Sequence, residues 1–383
     1  MVRFATTPMR THRLFAAGLV FVLALGLFAQ PPAAATVARG ADTLPSRLAD
    51  ADWWKLIDEL SEPGGFFRSD NLVSNELWFQ WVIPDLLQRA PQGGVYMGVG
   101  PEQNFTYIAA LKPKMVFITD IRRGNLHMHL MYKALFELSA DRAEFVARLF
   151  TKPRPASLTA KSSAAELMNA YWDVQTSPEP VFKKNLQDVY DVLQKKHNLP
   201  LSKEDLEGIE YVYHSFYWFG PSITYNSSSA GGRGGGNMVD YATLMMTTDG
   251  SSRQRSYLSS EETFNVLKDL ETRNMLVPVV GNFGGPKALR AVGKYVRDRG
   301  SFVMAMYLSN VEQYLQQDGI WNNFCGNVAS MPLNETSTFI RSASGGGGGP
   351  GGGLLNSLGA MQAETKGCGF ASQPVHPDVR LKR

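Results

Sequence analysis

Six residues that could do chemistry share one turn: Gly98, Gly100, Pro101, Glu102, Gln103 and Asn104, directly after the apolar run 95–99. Glycines so placed permit a tight strand-to-helix turn and let a ligand approach the backbone. The helix that follows offers free N–H groups and a positive dipole. Asp120 ends the next apolar run at about the 20-residue spacing at which a carboxylate receives ribose hydroxyls in nucleotide-binding βαβ units. Arg122 and Arg123 come next, with guanidinium groups suited to a phosphate or carboxylate. A second glycine-rich turn, Gly281-Asn282-Phe283-Gly284-Gly285-Pro286, places Asn282 where it can reach a ligand. Together Gly98, Gly100, Pro101, Glu102, Gln103, Asn104, Asp120, Arg122 and Asn282 predict a pocket for a nucleotide-type small molecule. The dinucleotide fingerprint is incomplete, because Gln103 stands at its third glycine and Pro101 removes one N–H. An NAD(P)-dependent oxidoreductase is therefore the weaker reading.

Nucleophile and metal chemistry find no matching pattern. There is no Gly-x-Ser-x-Gly elbow, no His-Glu-x-x-His and no P-loop. His127 and His129 are two apart and fall on different sides of a helix. Neither Cys325 nor Cys368 has another Cys or a His at ligand spacing, so no metal is expected.

The elements that must position these residues follow from periodicity. Apolar runs at 95–99, 115–119, 276–280, 302–308 and 338–341 predict strands, each but the last leading into a helical pattern. Such alternation predicts an α/β fold of the Rossmann-like, doubly wound kind with a mostly parallel sheet. Ligands of such sheets bind outside the carboxyl ends of the strands. Residues 157–219 stay helical throughout and read as a helical insertion, with Ser163 and Glu166 at capping-box spacing. Capping boxes are also expected at Ser259 with Glu262 and at Ser309 with Glu312. Ser74 is expected to cap a helix running through Trp78 and Val82. The loop Arg68-Ser69-Asp70-Asn71, flanked by aromatics, is placed to close over the pocket or to be a plain turn.

The ends differ in composition. Arg3, Arg10 and Arg13 precede an apolar run from Leu14 to Ala29 and then small residues, the pattern of a signal peptide over residues 1–38. Export to the periplasm or medium is expected, or membrane anchoring if the leader stays uncleaved. Residues 39–342 then form the α/β domain. The Gly/Ser segment at about 220–236 reads as a mobile loop and residues 343–383 as a disordered Gly-rich tail. An oxidising compartment would permit a bond between Cys325 and Cys368 or leave them free. A net charge of +3 with no basic run gives no footprint for nucleic acid, and no membrane contact is expected after cleavage.

Four stretches carry a resemblance: GVGPEQN at 98–104, FITDIRRGN at 117–125, SNVEQYL at 309–315 and GFFRSDNLVSNE at 65–76. The chain resembles a bacterial family of uncharacterised proteins with an S-adenosylmethionine-dependent methyltransferase-like core, over roughly residues 53–341. The resemblance implies that Gly98 and Gly100 face the methionine side of S-adenosylmethionine and that Asp120 faces its ribose. It also shows departures. Tyr96 stands where methyltransferases carry an acid, Glu102 where they carry a third glycine, and Asn282 with its glycines where they carry an Asn/Asp-Pro-Pro-aromatic segment. Two functions are expected: a methyltransferase-like protein holding S-adenosylmethionine or a relative, or an exported, non-catalytic binding protein for a small polar molecule.

Overall fold

Short runs of Val, Met, Ile, Leu and Tyr, buried on both faces, make four strands of a six-stranded sheet, as expected of strands covered by helices on either side. The structure is a computed structural model and describes residues 42–90, 92–227, 238–343 and 355–368. The leader, the glycine run at 231–236 and most of the Gly-rich tail therefore lie outside the described residues. No helix among those described is long and apolar enough to cross a membrane.

In chain order the elements are α1 (Asp50–Leu60), α2 (Ile83–Arg89), β1 (Val95–Gly98), α3 (Gln103–Leu111), β2 (Met115–Asp120) and α4 (Arg123–Leu138). Five helices follow: α5 (Arg142–Leu149), α6 (Ala164–Trp172), α7 (Glu179–Tyr190), α8 (Lys203–Phe219) and α9 (Tyr241–Met246). The α/β pattern then resumes with α10 (Glu261–Thr272), β3 (Leu276–Val280), α11 (Ala288–Asp298), β4 (Val303–Ser309), α12 (Val311–Gln317) and α13 (Trp321–Ala329). It ends with β5 (Thr338–Ala343), β6 (Leu355–Ala360) and α14 (Met361–Thr365).

The strand order is β3-β2-β1-β4-β5-β6, with β1 to β5 parallel and β6 antiparallel to β5. The chain moves outward from β1 through β2 to β3, then returns to place β4 on the other side of β1. That reversal is the topological switch point, where the first turn of an open α/β sheet leaves a crevice. Helices flank the sheet: α3, α4 and α10 pack together, and α11 packs with α1 and α13. The expected Rossmann-like α/β architecture is present.

Two parts of the chain depart from the pattern. The tail was expected to lie without structure beyond residue 342, yet Leu355–Ala360 pairs along the whole of β5. Cys325 in α13 is disulfide-bonded to Cys368, just past α14. A strand of Leu-Asn-Ser-Leu-Gly-Ala has too little apolar alternation to be read alone; it is a strand because β5 offers an unpaired edge. The second departure is in the caps. Ser163 and Glu166 form the expected box, but the cap of α10 is Ser260 with Thr263, not Ser259 with Glu262. Ser74 caps no helix: only a 3₁₀ turn, Phe79–Val82, precedes α2. Ser309 belongs to β4, and Glu312 pairs with Arg341 at 2.7 Å.

Candidate functional site

A cleft of about 170 Å³ opens at the carboxyl ends of β1, β2, β3 and β4, across the switch point. Its floor is Val99, Gly100 and Pro101 after β1; Asp120, Ile121 and Arg122 line one side and Gly281, Asn282 and Phe283 follow β3. The opposite wall is Tyr307 and Ser309 of β4 with Asn310, Tyr314 and Asp318 beyond it. Phe66, Phe67, Asn71, Ser74 and Asn75 come from the loop after α1, and Tyr225 from the segment after α8.

Of the nine residues singled out by sequence, five line this cleft: Gly100, Pro101, Asp120, Arg122 and Asn282. Gly100 has φ +75°, and no atom stands within 4 Å of where a Cβ would be, so the backbone is bare toward the cleft. The other four turn inward. Gly98 is glycine because Asn104 fills the space a Cβ would take: its Oδ1 would be 1.9 Å away. Asn104 ties the turn from behind, donating to the carbonyls of Val99 and Pro101, both at 2.8 Å, and accepting from Tyr96 at 2.9 Å. Tyr96, the residue in place of an acid, is thereby part of the same support. Gln103 donates to Glu76 at 2.8 Å and to Tyr107 at 2.9 Å, and accepts from Ser74.

Glu102 is also buried. Its Oε1 accepts the Ser74 N–H at 3.2 Å, while Oε2 has no partner among the described residues. Burial pushes this carboxyl up to about 8, against the weaker pull of backbone hydrogen bonding. At the start of α3 Pro101 has no N–H to give, and the Glu102 side chain makes no capping hydrogen bond there.

Asp120 and Arg122 form a bidentate pair. The carboxylate accepts from Nε at 3.1 Å, from Nη2 at 3.0 Å and from the Arg122 N–H at 2.9 Å. Nη1 of Arg122 donates to the Asp70 carbonyl, so the guanidinium also fastens the loop over the cleft. Tyr211 of α8 donates to the Asp70 carboxylate at 2.6 Å from the other side. Of the loop Arg68-Ser69-Asp70-Asn71, Asn71 lines the cleft and Asp70 anchors the loop beside it. Arg123, by contrast, leaves the cleft and pairs with Asp205 at 2.8 Å. His127 joins that same carboxylate at 2.8 Å. His129 bonds the Gly100 carbonyl at 3.0 Å and so props the floor; burial holds it down at about 4, neutral at ordinary pH.

Behind the β4 wall sits a residue that the sequence reading passed over. Glu76 is buried and accepts four hydrogen bonds: Tyr307 at 2.9 Å, Ser309 at 2.6 Å, Gln103 at 2.8 Å and Asn356 of β6 at 2.7 Å. One carboxylate thus joins the first turn, the fourth strand and the tail. Four stretches distant in sequence meet there, and no local spacing announces it. At the mouth, Phe67 meets Tyr314 edge-to-face at 5.0 Å, Tyr225 lies opposite, and Phe66 is 85% exposed. Arg68 donates to the Tyr314 hydroxyl at 3.3 Å. Among the described residues, the side chains of Asn75 and Asn310 make no hydrogen bond, and Asn71 Oδ1 is buried without a partner. No group of three or more His, Cys, Asp or Glu residues among those described could hold a metal ion.

Residues 71–350 match the family described as "Domain of unknown function (DUF7790)", which spans most of the chain, and the protein belongs to that family. No curated protein matches it.

Proposed function

We propose that this DUF7790 protein binds a nucleoside-type small molecule in the cleft between β1 and β4. The observation that carries the reading is Gly100: a bare, left-handed backbone position at the end of the first strand, facing open space at the switch point. Asp120 at the end of the second strand stands beside it, as a ribose-binding acid would. S-adenosylmethionine is the ligand that the methyltransferase-like resemblance supplies. A binding protein without catalysis is the second reading, favoured by the support geometry: Ser74, Tyr307 and Ser309 are committed to structural bonds rather than poised on the cleft. An NAD(P) site is the least supported, because Pro101 removes one N–H from the α3 N-terminus that should cradle a diphosphate and Gln103 stands at the third glycine.

Titration calorimetry against S-adenosylmethionine, S-adenosylhomocysteine and NAD tests the proposal. Asp120→Asn removes charge-assisted bonds worth about 1.5–3 kcal/mol, so affinity should fall roughly tenfold to a hundredfold. Gly100→Val fills the floor and should abolish binding. Binding that ignores both substitutions would place the ligand elsewhere.

A further inference from the structure

The charges around the cleft narrow its ligand class. Helix N-termini at a sheet's carboxyl edge attract anions, through unpaired N–H groups and the dipole. Here the protein's own carboxylates take two of those positions. Asp120 accepts the Arg122 N–H at the entry to α4. Glu62 accepts the N–H groups of Lys287 and Ala288, both at 2.7 Å, at the start of α11, and that of Asn282 at 3.4 Å. The cation lining the cleft, Arg122, has its fork spent on Asp120 and its remaining arm on the Asp70 carbonyl. Arg68 sits outside the lining, on Tyr314. Asp318 lines the cleft with no partner among the described residues.

A phosphate entering this cleft would meet the carboxylates of Asp120 and Asp318 and would have to break the Asp120–Arg122 pair to gain a cation. What the walls do offer is uncharged. Asn75 and Asn310 present free amides, Asn71 a free amide oxygen, and Tyr225, Phe67 and Tyr314 flat rings. Amides exchange bonds with hydroxyls as donor and acceptor, and aromatic faces take the apolar face of a ring. The volume of about 170 Å³ is below the roughly 300–1,000 Å³ of sites that hold drug-sized ligands, so it suits a single nucleoside or sugar rather than a dinucleotide.

Resting on the binding role proposed above, we infer that the cleft selects a phosphate-free, hydroxyl-bearing ring, the chemistry shared by a nucleoside and a free sugar. Asn75 and Asn310 are the specificity residues. Calorimetry with adenosine, AMP, ADP, glucose and glucose 6-phosphate separates the two sources and tests the rule in each. Adenosine or glucose should bind at least tenfold more tightly than its phosphorylated partner, with affinity little changed between low and high salt. Asn75→Ala and Asn310→Ala should each weaken that binding about threefold to tenfold, the worth of one neutral hydrogen bond. ADP or glucose 6-phosphate binding more tightly than its parent overturns the ligand class and leaves the cleft a binding site. Binding by none of the five overturns both this inference and the nucleoside-type reading beneath it.

Discussion

The two walls of the cleft are built on opposite plans. On the β1–α3 side nearly every polar group is consumed: Gly98 by Asn104, Gln103 by Glu76 and Tyr107, Asp120 by Arg122. On the side of the 66–75 loop and the β4–α12 turn, amides and a carboxylate stand unpaired and rings face the opening. The first wall is a support, rigid because its bonds are complete; the second is free to meet something else. A side chain satisfied within the protein has little to offer a ligand, since any new bond must replace an old one. Much of the glycine turn that looks like a binding motif is thus scaffold: Gly100 and, at the end of β2, Asp120 stay at the cleft, and the unpaired polar groups there belong to no motif.

The most severe test of the contrast is Glu76→Ala. Removing the carboxylate leaves four buried donors, from Tyr307, Ser309, Gln103 and Asn356, without their acceptor. Each orphaned group costs about 1–3 kcal/mol, so a loss of at least roughly 3 kcal/mol is expected in urea unfolding. A loss near that of an ordinary surface change would mean that the support wall does not depend on this hub.

The tail is the next measure of it. β6 reaches Glu76 through Asn356, and Glu364 of α14 pairs at 2.7 Å with Arg341, which also holds Glu312 of α12. The disulfide closes this over a sequence separation of 43. A loop of that length predicts roughly 3–4 kcal/mol from chain entropy, an upper figure where the tail can open by itself. Cys325→Ser with Cys368→Ser should lower the urea midpoint and speed amide exchange in β5 and β6. An unchanged midpoint with unchanged exchange would show the tail to be decoration.

These two regions also mark how far the sequence could be read. Strands β1 to β5, their order of appearance and the positions of Gly100, Asp120, Arg122 and Asn282 were legible, because strand ends and glycine turns are local patterns with a known geometric outcome. The roles of Gly98, Glu102, Gln103 and Asn104 were not, since a glycine needed for a neighbour's side chain looks the same as one needed for a ligand. Tyr225 sits beside a glycine-rich segment with no period at all. Glu76 and Asn356 are 280 residues apart, and only the sheet's closure onto β6 brings them together.

Glu102 gives the contrast a pH signature. Unfolded, the carboxyl gives up its proton near 4.5; in the fold burial holds it to about 8. Between those values the folded protein binds more protons, so this contribution to stability is full below about pH 4.5 and is lost as pH rises through 8. Glu271, also pushed up to about 8 by burial, adds a slope of the same sign. Glu102→Gln should therefore flatten, without abolishing, the decline of melting temperature between pH 5 and 9. A decline as steep as in the parent protein would show that the Glu102 carboxyl is ionised and solvated in the fold.

The smallest effect belongs to the open wall. Asn75 and Asn310 have no hydrogen-bond partner among the described residues, and neither side chain holds an element in place. Replacing either with Ala breaks nothing in the free protein, so stability should stay within about 0.5 kcal/mol, as for surface positions away from structural features. The matching change on the support wall, Asn104→Ala, removes the acceptor of Tyr96 and the donor to two turn carbonyls, and should cost about 1–3 kcal/mol. The pair of measurements is informative because the residue type and the substitution are alike, while Asn104 is buried and bonded and Asn310 lines the cleft without a partner. If Asn310→Ala unfolds the protein as readily as Asn104→Ala, its amide is structural and the two walls are one. If Asn104→Ala costs nothing, the turn holds its shape without its tie, and Gly98 and Gly100 keep their places by backbone geometry alone.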